Sequence, residues 1–96
     1  MIISFRDKRT RQFFEGRRIK AFQGFDQAAM LRLERLHAAN RLGALNTPGN
    51  RLEGLKGLKG DRKGQYSVRI NDQWRICFEW PADSHGPLNV EITDYH

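Results

Sequence analysis

The run "QYSVRINDQWRICFEW", Gln65 to Trp80, decides the fold because two alternating patterns meet there across a short polar interruption. Side chains of a strand alternate between its faces, so Tyr66, Val68 and Ile70 share one face, opposed by Ser67 and Arg69. In the second pattern Trp74, Ile76, Phe78 and Trp80 are opposed by Arg75, Cys77 and Glu79. A hairpin loop of Asn71 and Asp72 alone would set Ile70 against Gln73 and Val68 against Arg75. That mixes the faces, which a sheet with one buried side does not tolerate. A loop from Asn71 to Gln73 instead pairs Ile70 with Trp74, Val68 with Ile76 and Tyr66 with Phe78. The faces then agree.

The same register sets Arg69 directly across from Arg75, and like charges so opposed destabilise a sheet. Continuing through the loop "PADSHGP", Pro81 to Pro87, to "LNVEITDYH", matched faces pair Trp80 with Leu88, Phe78 with Val90 and Ile76 with Ile92. Arg75 then lies beside Thr93, with Tyr95 one step further along the same face. Two explanations of the arginine pair stand side by side. Either Glu79 or Glu91 neutralises it on a solvated face, or the guanidinium groups await a phosphate that they can grip bidentately. The preceding loop "LKGLKGDRKG" weights the second, since Lys56, Lys59, Arg62 and Lys63 stand among glycines that permit close backbone approach to a phosphate chain.

Upstream, "IISF" (Ile2 to Phe5) has the look of a first strand, and Asp7 is placed to cap a helix "KRTRQFFEG" that ends on Gly16. Asp26 is placed to cap a second helix, whose stripe Ala29, Met30, Leu33, Leu36, His37 and Asn40 falls on one face, with Gly43 as its stop. Arg32 and Arg35 lie off that stripe, and Leu31 points nearly opposite it, so contacts on both sides are expected. His37 shares the core-facing stripe and is expected to be structural; His85 is expected to be a solvated loop residue. "NTPGN" is turn material, and "RLEGL" opens the strand-rich half. The expected fold class is α+β: two N-terminal helices packed on a small, mostly antiparallel sheet, in one domain covering residues 1–96.

Composition narrows the function. The 96 residues carry 17 Lys and Arg against 11 Asp and Glu, a net charge of +6, and the pI is about 10.1. Such a balance favours a polyanionic partner, because neutralised phosphates release condensed counterions. A membrane surface is disfavoured, since no helix pairs an apolar face with a lysine-rich one. The lone Cys77 forms no internal disulfide and suits a reducing compartment, so a cytoplasmic protein is expected. The three histidines are scattered, so no metal and no cofactor is expected.

At "LKGDRKGQYSVRINDQWRICFEW" and "VEITDYH" the chain resembles the HigB toxins, the killer-protein branch of the RelE/ParE superfamily. The likeness extends to "IISFRDKRTRQFFEG" and "PGNRLEGLKG", nearly the whole length. It implies a metal-independent endoribonuclease, an mRNA interferase that cuts message in the A site of the translating 70S ribosome. It also implies a HigA-type helix-turn-helix antitoxin as partner. Carried onto this chain, it places Asp94, Tyr95 and His96 on the active surface and makes Arg75 the phosphate-binding strand arginine. The duplicated "LKG" offers Lys56 or Lys59 as the catalytic loop lysine. Arg69, Arg62 and Lys63 fall in the RNA-binding set, and Glu53 stands where some relatives carry a histidine.

The implied chemistry is attack of an RNA 2′-hydroxyl on the adjacent phosphate. Arg75 and a loop lysine would stabilise developing charge. His96, with a reference pKa of about 6.5, suits proton transfer near neutrality, with Asp94 orienting it or holding its charge and Tyr95 stacking on a base or assisting proton transfer. Two other functions remain open: a ParE-like, non-catalytic inhibitor of DNA gyrase, and an RNA-binding relative that has lost its chemistry.

Overall fold

Asp7 starts the first helix. In the computed structural model, which describes residues 1–45 and 65–94 and the backbone of 52–54, its carboxylate accepts the Thr10 backbone N–H at 3.2 Å. That satisfies one of the donors a helix start leaves open, and α1 runs Lys8–Phe14. The chain leaves the helix at Gly16, whose φ of 104° favours glycine. Gly16 N–H donates to the Phe13 carbonyl at 3.0 Å and Arg17 N–H to the Gln12 carbonyl at 2.9 Å, the paired closure typical of a glycine-terminated helix. Both ends fall where the sequence places them.

The second helix corrects several expectations. α2 spans Asp26–Ala38, so Asp26 is its first residue and not its cap; Phe25 precedes it without a side-chain hydrogen bond. In the first turn the Asp26 carboxylate meets the positive end of the helix dipole. The helix also ends before Gly43, because Ala39 turns extended and takes its side chain into the core, as does Leu45 at the end of the short 3-10 turn Leu42–Leu45. Ala29, Leu33 and Leu36 are buried as expected, with Met30 packed partly against them. Asn40 lies beyond the helix and is exposed. Leu31 is 46% exposed, so the expected second contact is absent among the described residues. His37 is structural: its Nδ1 accepts the Ile2 N–H at 3.2 Å, and its ring packs against Phe14.

The sheet is four-stranded in the order β1-β2-β3-β4 (Leu52–Gly54, Tyr66–Arg69, Trp74–Glu79, Leu88–Asp94), with every pair antiparallel. Tyr66 faces Phe78 and Val68 faces Ile76, and Ile70 N–H closes the hairpin on the Trp74 carbonyl at 2.9 Å. This is the register read from the sequence. Asn71 Oδ1 accepts both Gln73 N–H at 2.9 Å and Trp74 N–H at 2.8 Å, an Asx turn that fixes the loop length.

Between β3 and β4 the inner half agrees, with Ile76 opposite Ile92 and Arg75 opposite Thr93, but Glu79 and not Trp80 faces Leu88. A bulge places one extra residue on β4, and Asn89 takes a φ of 53°, a left-handed conformation that asparagine tolerates. Its N–H is held by Ser4 Oγ at 2.9 Å and its Nδ2 donates to Glu79 at 2.8 Å. The segment "IISF" is not a full strand: it lies parallel to β4 with one bridge, Phe5 to Val90, before Asp7 turns it into α1. Val90 N–H nevertheless reaches the Ser4 carbonyl at 3.0 Å, and Ile92 N–H reaches Thr10 Oγ1 at 3.0 Å. The outer edge of β4 is thereby covered, which guards it against pairing with another chain.

The core forms between the helices and the Val68/Ile76/Phe78/Ile92 face. Phe22 stands edge-on to Phe13 and Trp74, at centroid distances of 5.2 and 5.8 Å, arrangements favoured by ring quadrupoles. Each fully buried Ile, Leu or Phe contributes about 1.5–3 kcal/mol.

Candidate nucleic-acid interface

Arg69 and Arg75 are direct cross-strand partners, and Arg75 is in turn opposite Thr93. All three side chains project from the face away from the helices. The like-charge problem is relieved in part at Arg69, whose Nη2 forms an ion pair with Asp72 in the hairpin loop. Its Nε donates to the Asn71 carbonyl at 3.2 Å. Glu79 is engaged by Asn89, and Glu91 lies 3.8 Å from Arg6 Nε.

Arg32, off the core-facing stripe as expected, has a partner the sequence did not reveal. Its Nε donates to the Arg69 carbonyl at 2.6 Å, tying α2 to the arginine end of β2. Nothing in the local pattern could have signalled a contact 37 residues apart. Asp72 was legible in principle, at i+3 from Arg69 within the loop.

The middle of this face is not solvated. Gln65, Ser67 and Cys77 are buried, at 4%, 0% and 0% exposure, and Ser67 Oγ has no hydrogen-bond partner among the described residues. Exposure rises toward the hairpin end, where Arg75 and Thr93 are half-buried and Arg69 is exposed. A half-buried guanidinium acts through a lower effective dielectric than one in bulk water, so its attraction for a phosphate is stronger.

Asp94 pairs with Trp74, so by alternation it projects from the other face to Thr93. Its Oδ2 accepts Gln73 Nε2 at 2.8 Å, which fastens the end of β4 to the hairpin loop. Asp94 therefore does not share the surface of Arg69 and Arg75. Glu53 is described through its backbone, as the partner of Ser67. Lys56, Lys59, Arg62, Lys63, Tyr95 and His96 lie outside the described residues. Among the described residues no three His, Cys, Asp or Glu side chains gather as a metal would need, and no helix is long and apolar enough to cross a membrane.

The arrangement can hold an anion at the paired arginines, next to the strand that runs toward Tyr95 and His96. Comparison with known proteins gives the family. Residues 3–96 match the profile described as RelE-like toxin of type II toxin-antitoxin system HigB. The chain is 36% identical over 83 residues to Toxin HigB-1 of Vibrio cholerae, covering 83% of this chain and 84% of that one. It is 37% identical over 65 residues to Endoribonuclease HigB of Proteus vulgaris, covering 68% and 65% respectively.

Proposed function

The chain belongs to the RelE-like HigB toxins of type II toxin–antitoxin systems, and from that membership we propose that it is a cytoplasmic, metal-independent endoribonuclease. It cleaves translated mRNA in the ribosomal A site and is held in check by a HigA-type antitoxin. The observation that carries the nuclease assignment is the cross-strand pair Arg69–Arg75, with Thr93 completing the row on β4. Support also comes from the relative named an endoribonuclease.

In this mechanism the 2′-hydroxyl of one nucleotide attacks the adjacent phosphate; its proton leaves to a base, and the P–O5′ bond breaks. The products are a cyclic phosphate and a free 5′-hydroxyl. Arg75 stabilises the extra negative charge of the phosphorane, as preorganised donors do, and Lys56 or Lys59 joins it. Arg69 is already engaged by Asp72, so it serves to bind RNA, together with Arg62, Lys63 and Glu53. His96 transfers protons, and Tyr95 stacks on a base. Asp94 acts through its tie to Gln73, positioning the end of β4.

Primer extension on mRNA after brief induction tests this. Breaks within translated codons are expected, and deletion of Tyr95 and His96 should abolish them without lowering the melting temperature. DNA damage without such breaks would identify a gyrase inhibitor instead; unaltered cleavage by the truncated chain would remove the terminal residues from the mechanism.

A further inference from the structure

A groove of about 540 Å³ opens between the end of α1 and the start of α2. Its apolar lining is Phe13, Ile19 and Met30, and Arg17 and Arg18 stand on its rim. The groove belongs to the helix layer, whereas Arg69 and Arg75 project from the opposite face of the sheet.

We propose that this groove is the docking site for the antitoxin, and that it takes an apolar side chain flanked by carboxylates. The identity of the partner rests on the toxin–antitoxin reading above. The chemistry of the partner segment rests on the groove itself.

Charge is the first argument. Arg17 and Arg18 are exposed, on a chain of net charge +6. With its amide oxygen turned toward the guanidinium, Gln23 accepts Arg18 Nε at 2.6 Å, so Arg18 is held at the rim. The far wall is the start of α2, where Asp26 already meets the positive end of the helix dipole, so the guanidinium groups of the rim carry the attraction. Asp26 is the one carboxylate among the lining residues, against two guanidinium groups.

Shape and polarity narrow the partner further. A floor of Phe13, Ile19 and Met30 offers an RNA phosphate nothing to bind, but it matches the apolar anchor of a protein interface with a polar rim. Leu31 extends the apolar surface outward: it is 46% exposed and lies four residues on from the groove-lining Gln27, the spacing of neighbours on a helix. A second copy of this chain is a poor occupant, because a self-complementary contact would place the same basic rim, Arg17 and Arg18, on both sides of it.

The test uses the full chain and the purified antitoxin from the adjoining reading frame, with affinity measured by calorimetry. Reversing the rim charges, Arg17→Glu with Arg18→Glu, should weaken antitoxin binding about 100-fold, roughly tenfold per reversed charge. Met30→Asp should do the same, and Arg41→Glu, an exposed charge outside the groove, should leave affinity within about threefold. None of these residues belongs to the proposed nuclease machinery, so RNA cleavage by the free toxin should persist. Should Met30→Asp fail to fold, the exposed arginine pair alone decides. Parental affinity in the rim variant would overturn the proposal, as would an equal loss in Arg41→Glu. Lost ribosome association with antitoxin affinity intact would assign the groove to RNA. Absence of cleavage by the parent chain would sink the nuclease reading and leave the binding result standing.

Discussion

Ile76 and Cys77 are neighbours in β3, and neither is exposed, yet they sit in opposite environments. Ile76 faces Val68 and Ile92 across the sheet and packs among the helix side chains. Cys77 faces Ser67 and Glu91, and the Ser67 hydroxyl is buried without a partner among the described residues. One face gains stability from apolar area removed from water. The other buries polar groups, which costs free energy unless each is hydrogen-bonded. That cost is not spread evenly along the face: Gln65, Ser67 and Cys77 are buried, whereas Arg75 is half-buried and Arg69 exposed toward the hairpin end.

The largest effect should come from the apolar face. Phe78→Ala removes a fully buried ring and should cost about 3–5 kcal/mol of folding stability, read from denaturant unfolding. Residual cleavage per folded molecule should be unchanged. A small stability loss would mean that this face is not the chief source of the fold's stability.

Arg75→Ala should invert that pattern. Cleavage should fall about 100- to 1000-fold, as for removal of a transition-state donor, while stability changes little. Arg69→Ala should lose less than about tenfold, since its guanidinium is exposed and already spends an ion pair on Asp72. If Arg75→Ala unfolds the protein as Phe78→Ala does, the half-buried guanidinium is a structural element. If the two arginine variants lose activity equally, Asp72 does not distinguish them.

What the sequence made legible follows the same division. Hairpin register, the Asp7 cap, the Gly16 stop and the cross-strand arginines all arise from neighbours along the chain or from strict alternation, so pattern alone reaches them. Three features escaped because they depend on tertiary fit. The β4 bulge arises where Asn89 is caught between Ser4 and Glu79. Arg32 reaches Arg69 only once α2 has docked. α2 ends early because Ala39 and Leu45 are drawn into the core. Asp94 is the instructive case for the site. Alternation already required that Asp94 and Thr93 face opposite ways, so its separation from Arg75 was readable; what was not is the bond from Gln73.

The smallest expected effect carries the sharpest sign. If the polar face is buried at a cost, Ser67→Ala removes a hydroxyl that gains nothing from burial, and it deletes one atom from a site with no exposure. An unsatisfied buried polar group costs about 1–3 kcal/mol, and the small void left behind offsets part of that. The variant should therefore be as stable as the parent, or more stable by about 1 kcal/mol. Thr10 provides the contrast: its hydroxyl is equally buried but accepts the Ile92 N–H at 3.0 Å, so Thr10→Val should destabilise by about 1–3 kcal/mol by orphaning that donor. Opposite signs from the two substitutions, measured by urea unfolding, would establish that a buried hydroxyl with a partner and one without differ in kind. Equal losses would mean that Ser67 is satisfied after all, and that the polar face stabilises the fold as the apolar one does.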